Sequence, residues 1–151
     1  MRFVKESVLP ASPAEVFAFH ERPEAFALLL PPWERTEILV PPRGLAVGHR
    51  VELRTRMGCF WVKIVAEHVG YEPGRSFEDV MREGPFAHWH HKHLFLPDPG
   101  GCRLRDEIDY TPPLGWLGRL AEPFAIRPKL KKLFDYRHEV TRREVLVAAS
   151  G

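Results

Sequence analysis

The chain reads as an α+β fold: an antiparallel sheet of about six to seven strands, two short helices after the first strand, and one long C-terminal helix. Three observations predict it. Short segments of alternating hydrophobicity, separated by turn clusters, fill residues 36–110. A helix-start signature, Ser12-Pro13-Ala14-Glu15, stands close to the N-terminus. A single long amphipathic stretch follows Pro128.

The elements follow in order. Arg2 to Leu9 alternates weakly and stops at Pro10, as a first strand would. Ser12 is placed to cap a helix, Pro13 fits its first turn, and Glu15 can reach back to the cap; the helix should run to about His20. A second short helix begins near Pro23 and ends before Pro31-Pro32. Strands are expected at Thr36–Val40, His49–Met57, Phe60–Val69, Arg75–Arg82, Ala87–Leu96 and Cys102–Tyr110. Tyr71-Glu72-Pro73-Gly74 and Pro97-Asp98-Pro99-Gly100-Gly101 read as turns, and such short connections imply antiparallel neighbours. Pro112 to Gly118 reads as a loop rich in proline and glycine, a candidate rim. In the last helix Leu130, Leu133, Phe134, Arg137, Val140 and Thr141 share a stripe, whereas Lys129, Lys131, Lys132, His138, Arg142 and Arg143 fall on the other faces.

Composition narrows the function. At 151 residues the chain is expected to be one domain, 1–151, able to bury roughly 70% of its unfolded surface. A formal net charge of +2 gives no global attraction to nucleic acid, and the basic cluster of the last helix is interleaved with Asp135, Glu139 and Glu144, as on a solvated face. Nucleic acid is therefore not an expected partner. Cys59 and Cys102 have no CxxC spacing and are expected to be free thiols. No signal sequence opens the chain and no segment reaches the ~20 apolar residues of a membrane span, so a cytoplasmic protein with no stable membrane insertion is expected. A homodimer is compatible with this reading. GxSxG, GxGxxG and GxxxxGK[ST] are all missing, which removes the usual signals for a serine nucleophile or a nucleotide cofactor.

The chemistry concentrates in His88-Trp89-His90-His91-Lys92-His93-Leu94-Phe95. Alternation along a strand puts Trp89, His91, His93 and Phe95 on one face, with His88, His90, Lys92 and Leu94 on the other. Pairing Pro97 with Cys102 across a four-residue loop sets Phe95 opposite Leu104, His93 opposite Asp106, His91 opposite Ile108 and Trp89 opposite Tyr110. A one-residue slip would bring Arg103 and Asp109 beside aromatic rings, so the first register is preferred. The preceding strand then turns Phe77, Asp79 and Met81 inward. For Phe60–Val69 the pattern leaves two faces open: Trp61, Lys63, Val65 and Glu67, or Phe60, Val62, Ile64, Ala66 and His68. The first choice would add Glu67 to a polar island of Asp79, His91, His93 and Asp106.

Such an island supports several roles. His93 and Asp106 can be a structural cross-strand pair, the polar anchor of a ligand, or a general base with its orienting carboxylate. His91 and His93, at i and i+2, lie about 7 Å apart along a strand, as do His88 and His90; either pair could chelate zinc with Glu67, Asp79 or His68 as a third ligand. An HxH pair alone does not define such a site, so neither a metal nor a cofactor is expected. Arg137, on the apolar stripe, is either a snorkelling side chain or the counter-charge to Glu67, Asp79 or an acidic ligand.

With these residues in place the chain resembles the START/Bet v 1-like superfamily, in its bacterial ligand-binding SRPBCC, polyketide cyclase/dehydrase-like branch. The resemblance spans about Arg2 to Val145. It rests on Ala14-Glu15-Val16-Phe17, Pro31-Pro32, Glu72-Pro73-Gly74-Arg75-Ser76-Phe77-Glu78-Asp79, Gly84-Pro85-Phe86 with the histidine strand, Leu104-Arg105-Asp106-Glu107-Ile108-Asp109-Tyr110, and Leu133-Phe134-Asp135-Tyr136-Arg137. It implies a helix-grip fold, with the curved sheet wrapped around the C-terminal helix and a hydrophobic cavity between them. Lipid, sterol or polyketide ligands are implied as a class; catalysis is not, because the fold hosts carriers and cyclases alike. The expected function is binding of a small hydrophobic molecule, with Trp61, Met81, Trp89, Tyr110 and Phe134 supplying contact area. Asp79, His91, His93, Asp106 and Arg137 would orient its polar end. The alternative is a cyclase, dehydratase or isomerase using His93 and Asp106 as general acid and base.

Overall fold

The computed structural model describes residues Met1–Gly151. Strand β1 (Arg2–Leu9) leads to α1 (Pro13–Glu21) and α2 (Ala25–Leu28). The capping box forms as the sequence predicts: Ser12 Oγ accepts from the Glu15 amide at 3.2 Å, and Glu15 Oε2 accepts from the Ser12 amide at 2.7 Å. Six strands follow: β2 (Thr36–Val40), β3 (Arg50–Met57), β4 (Phe60–Glu72), β5 (Ser76–Glu83), β6 (His88–Asp98) and β7 (Gly101–Thr111). They form one antiparallel sheet in the order β1-β7-β6-β5-β4-β3-β2, so the first strand closes against the last. Helix α4 (Arg127–Ala149) packs along β1 and α1, giving the helix-grip arrangement. No helix is long and apolar enough to cross a membrane.

Two local expectations need correction, and one open alternative is resolved. Residues 115–118, expected in a loop, open helix α3 (Gly115–Ala121), which continues through a π-helical stretch (Glu122–Ile126) into α4. A side chain on Gly118 would strike the Pro113 carbonyl, so this glycine admits a close backbone approach rather than breaking the helix. The β6–β7 hairpin turns through two residues, not four, because Asp98 pairs with Gly101. Gly101 has φ +127°, and a Cβ there would collide with the Leu9 carbonyl.

The alternative left open, which face of β4 lines the interior, is settled by its pairing with β3. Along β4, Ala66 pairs with Val51, Ile64 with Leu53 and Val62 with Thr55, and these β3 partners are buried. The inward face of β4 is therefore that of Val62, Ile64, Ala66 and His68, with Phe60 on the same face but exposed at the strand's start. Trp61 and Glu67 stand on the outer face. The Arg54 guanidinium lies over the Trp61 ring at 4.8 Å, while Glu67 accepts from Arg50 and Arg82.

The interior is layered. One apolar cluster joins Leu9, Val16, Phe17, Phe77, Phe95, Leu104 and Val145 under α1. A second joins Phe3, Ile108, Tyr110, Leu130 and Phe134, with Phe86 and Trp89 against it. Successive inward positions of β7 run Leu104, Asp106, Ile108, and those of β6 run Phe95, His93, His91, Trp89. A polar layer thus lies between the two apolar ones.

Candidate functional site

The predicted β6–β7 register is the one observed: Phe95 pairs with Leu104, His93 with Asp106, His91 with Ile108 and Trp89 with Tyr110. On the other side of β6, His91 pairs with Asp79 and His93 with Phe77. Strand alternation therefore delivers Asp79, His91, His93 and Asp106 to one spot.

Asp106 is the hub. It is 3% exposed, and an ionised carboxylate only accepts hydrogen bonds. Its Oδ1 lies 2.8 Å from His91 Nε2 and 2.8 Å from His93 Nδ1, and its Oδ2 accepts from His138 Nε2 at 2.6 Å. His138 Nδ1 in turn meets Ser7 Oγ at 2.8 Å, so β1, β6, β7 and α4 are tied through one carboxylate. Burial alone would raise the Asp106 pKa. The His93 charge and the bonds from His138, His91 and His93 outweigh it and hold Asp106 well below the usual carboxylate range.

The histidines diverge. Burial pushes His93 down, but Asp106 and Asp79 more than offset this and leave it above its usual value. His91 is lowered, first by burial and then by the neighbouring His93 charge. The two rings lie 3.7 Å apart between centroids, and His93 stacks on Phe77 at 3.9 Å. Asp79 Oδ2 sits 3.3 Å from His93 Nε2 and 3.7 Å from His91 Nδ1. For Asp79 too, burial works upward, but His93 and His91 bring the net shift below the usual value.

Other predicted residues divide by position. Trp89 packs on Phe86 and Tyr110 at 4.9 and 6.2 Å between ring centroids, next to the cluster. Tyr110 and Phe134 are 1% and 0% exposed; they wall the cluster as core. The Tyr110 hydroxyl donates to Glu122, and burial followed by that carboxylate pushes its pKa up to about 12. Met81 lies inward on β5, half-buried beneath Gly84. Arg137 is half-buried with no carboxylate within 4.0 Å; its Nε donates to the Leu29 carbonyl at 3.3 Å. Burial lowers its pKa against the opposing pull of Asp106, Asp79 and Glu34, and its guanidinium lies 5.3 Å from the Phe134 ring, which packs on His91. Trp61, on the outer sheet face, does not join the site.

The sequence reading missed two contributors, His138 and His20, and left a third, His68, as an open alternative. His138, assigned there to a solvated face, is 3% exposed and bonded to Asp106. The signal was its position: Leu130, Phe134 and His138 follow one another at i, i+4 and i+8. His68 on β4 pairs with Asp79 and its Nδ1 has no hydrogen-bond partner. His20 on α1 bonds the Val16 carbonyl and lies 6.2 Å from the His93 ring. The outer histidine His90 meets Glu78 at 2.8 Å, and His88 is exposed.

Comparison with known proteins agrees with this architecture. The family model described as polyketide cyclase / dehydrase and lipid transport matches residues 9–131. No curated protein sequence matches the chain. Among solved structures, TTHA0849 from Thermus thermophilus is similar at 17% identity and a TM-score of 0.76, covering 98% of this chain and 99% of that one. Ara h 8.0201 is similar at 15% identity and a TM-score of 0.70, covering 97% and 98%. The di-domain ARO/CYC StfQ from the steffimycin biosynthetic pathway is similar at 14% identity and a TM-score of 0.74, covering 99% of this chain and 52% of StfQ. The fold and the match over residues 9–131 together show that the chain belongs to the polyketide cyclase / dehydrase and lipid transport family, within the START/Bet v 1-like superfamily.

Proposed function

We propose that the protein binds a small, mostly apolar molecule carrying one polar or acidic group, held between the sheet and α4 with its polar end at the Asp79–His91–His93–Asp106 layer. The observation that carries this reading is Arg137. A half-buried guanidinium beside the polar layer, bonded only to one carbonyl, is a donor set suited to an oxygen of a ligand. The inward faces of β3 and β4, from Val51 to His68, supply further apolar wall on the concave side of the sheet. The family description, which includes lipid transport, and the biosynthetic role printed for StfQ both fit a hydrophobic ligand.

Anilinonaphthalene sulfonate, an aromatic molecule with one anionic group, is a direct probe. Saturable one-to-one fluorescence enhancement is expected, weakened about tenfold by Arg137→Ala, the loss of roughly one charge-assisted hydrogen bond. Trp61→Ala should leave it unchanged. Binding that ignores Arg137→Ala would refute the reading.

The His93–Asp106 contact at 2.8 Å favours a second reading, a cyclase, dehydratase or isomerase with His93 as general base. His93→Ala separates the two: it alters affinity modestly in a carrier and abolishes turnover in an enzyme.

A further inference from the structure

We infer that Asp79, His91 and His93 form a divalent-cation site of the zinc type, with Asp106 as the carboxylate that orients both histidine ligands. This inference goes beyond ligand binding and stands without it.

The geometry begins at Asp106. Asp106 Oδ1 accepts from His91 Nε2 at 2.8 Å, which fixes a proton on that nitrogen, and His93 Nδ1 lies 2.8 Å from the same oxygen. The opposite nitrogens, His91 Nδ1 and His93 Nε2, are the ones that face Asp79 Oδ2. Both rings therefore turn their metal-ligating atoms toward the same carboxylate. Histidine ligands of metal sites have this outer bond to a carboxylate, which sets their tautomer and raises their basicity. Here Asp106 makes that bond to His91 and stands 2.8 Å from His93 Nδ1, and His138 and Ser7 hold it from behind.

Spacing agrees. Ligands about 2.1 Å from a tetrahedral zinc stand about 3.4 Å from one another. Asp79 Oδ2 lies 3.3 Å from His93 Nε2 and 3.7 Å from His91 Nδ1, and all three ligand atoms fall within 4.8 Å of one another. As direct contacts these are poor: 3.3 Å is a long hydrogen bond and 3.7 Å is none. A cation at the centre satisfies all three atoms at once. Access is open, because the Asp79 and His93 side chains remain 17% and 13% exposed. Three protein ligands leave a fourth position open on that side for water or an oxygen of a bound molecule.

The outer pair offers a built-in contrast. His88 and His90 have the same i, i+2 spacing, but His90 is bonded to Glu78 and His88 is exposed. Spacing alone does not make the site; the shared orienting carboxylate does.

The test uses the full chain, stripped with chelator and titrated with Zn²⁺ and Co²⁺ alone, read by calorimetry and by the Co²⁺ ligand-field spectrum. One equivalent should bind. Asp79→Asn and His91→Gln, which keep side-chain volume, should each weaken binding by at least about 100-fold, and Asp106→Asn by about 10- to 100-fold with all three ligands still present. His88→Ala and His90→Ala should leave it unchanged. Circular dichroism identifies variants that stay folded; Asp79, being partly exposed, decides the matter if Asp106→Asn does not fold. The inference falls if the folded chain binds neither ion saturably. It falls equally if binding survives Asp79→Asn and His91→Gln, or if it moves with His88 and His90. The anilinonaphthalene sulfonate assay, run without metal, is independent of each of these results.

Discussion

His138 on α4 donates from Nε2 to Asp106 Oδ2 on β7 at 2.6 Å, both side chains being almost wholly buried. The long helix is thus joined to the sheet by a charge-assisted hydrogen bond as well as by apolar packing. Removing one partner of a buried ionic set leaves the others uncompensated, which costs about 3–5 kcal/mol. Asp106→Asn should lower stability by that order in urea unfolding. A loss below about 1 kcal/mol would mean that the three imidazoles do not depend on the charge.

Acid should destabilise the protein through His20. Burial, the first cause, takes its pKa from 6.5 to about 4, while the bond to the Val16 carbonyl and the charge of Asp106 pull upward and His93 and His138 pull downward. Unfolded chains bind the proton more readily than the native state, so this contribution is complete above about pH 6.5 and lost as pH falls toward 4. In chelator-treated protein, His20→Phe should flatten the stability profile across that window. An unchanged slope would assign the acid sensitivity elsewhere.

Two glycines with positive φ separate backbone strain from collision. Gly58, φ +63°, has open space where a Cβ would go, so Gly58→Ala should cost about 1 kcal/mol. Gly101, φ +127°, would drive a Cβ into the Leu9 and Ala11 backbone. Gly101→Ala should therefore cost clearly more than Gly58→Ala in thermal melts, and equal costs would argue that the β1–α1 connection yields freely.

Ser12→Ala removes one half of the α1 capping box and should cost about 1 kcal/mol. Ser12→Gly should cost only a few tenths, a difference that denaturant midpoints resolve.

Much of the site was legible because β6 and β7 leave one tolerable register. Phe95 opposite Leu104 and Trp89 opposite Tyr110 place His93 opposite Asp106 with no further information. The closure of β1 on β7, which brings Ser7 behind His138, is long-range pairing that no local pattern encodes. His138 escaped because it flanks the apolar stripe on which Arg137 itself stands. Which flank meets the sheet depends on how the sheet curves, not on helical periodicity. The inner face of β4 stayed open because both of its faces carry apolar residues. Helix α3 was hidden by Pro112, Pro113 and Gly118, residues that ordinarily punctuate loops and here permit tight packing.

The register shift in β4 between His68 and Gly70 has a consequence for reading variation in this family. His68 pairs with Asp79, yet Tyr71, an odd position, pairs with Phe77 and packs on Phe17. Even positions look inward before the shift and odd positions after it. Tolerance to polar substitution should therefore reverse phase within one strand. Relatives aligned without a gap at that bulge will have their lining and surface residues exchanged for the rest of the strand.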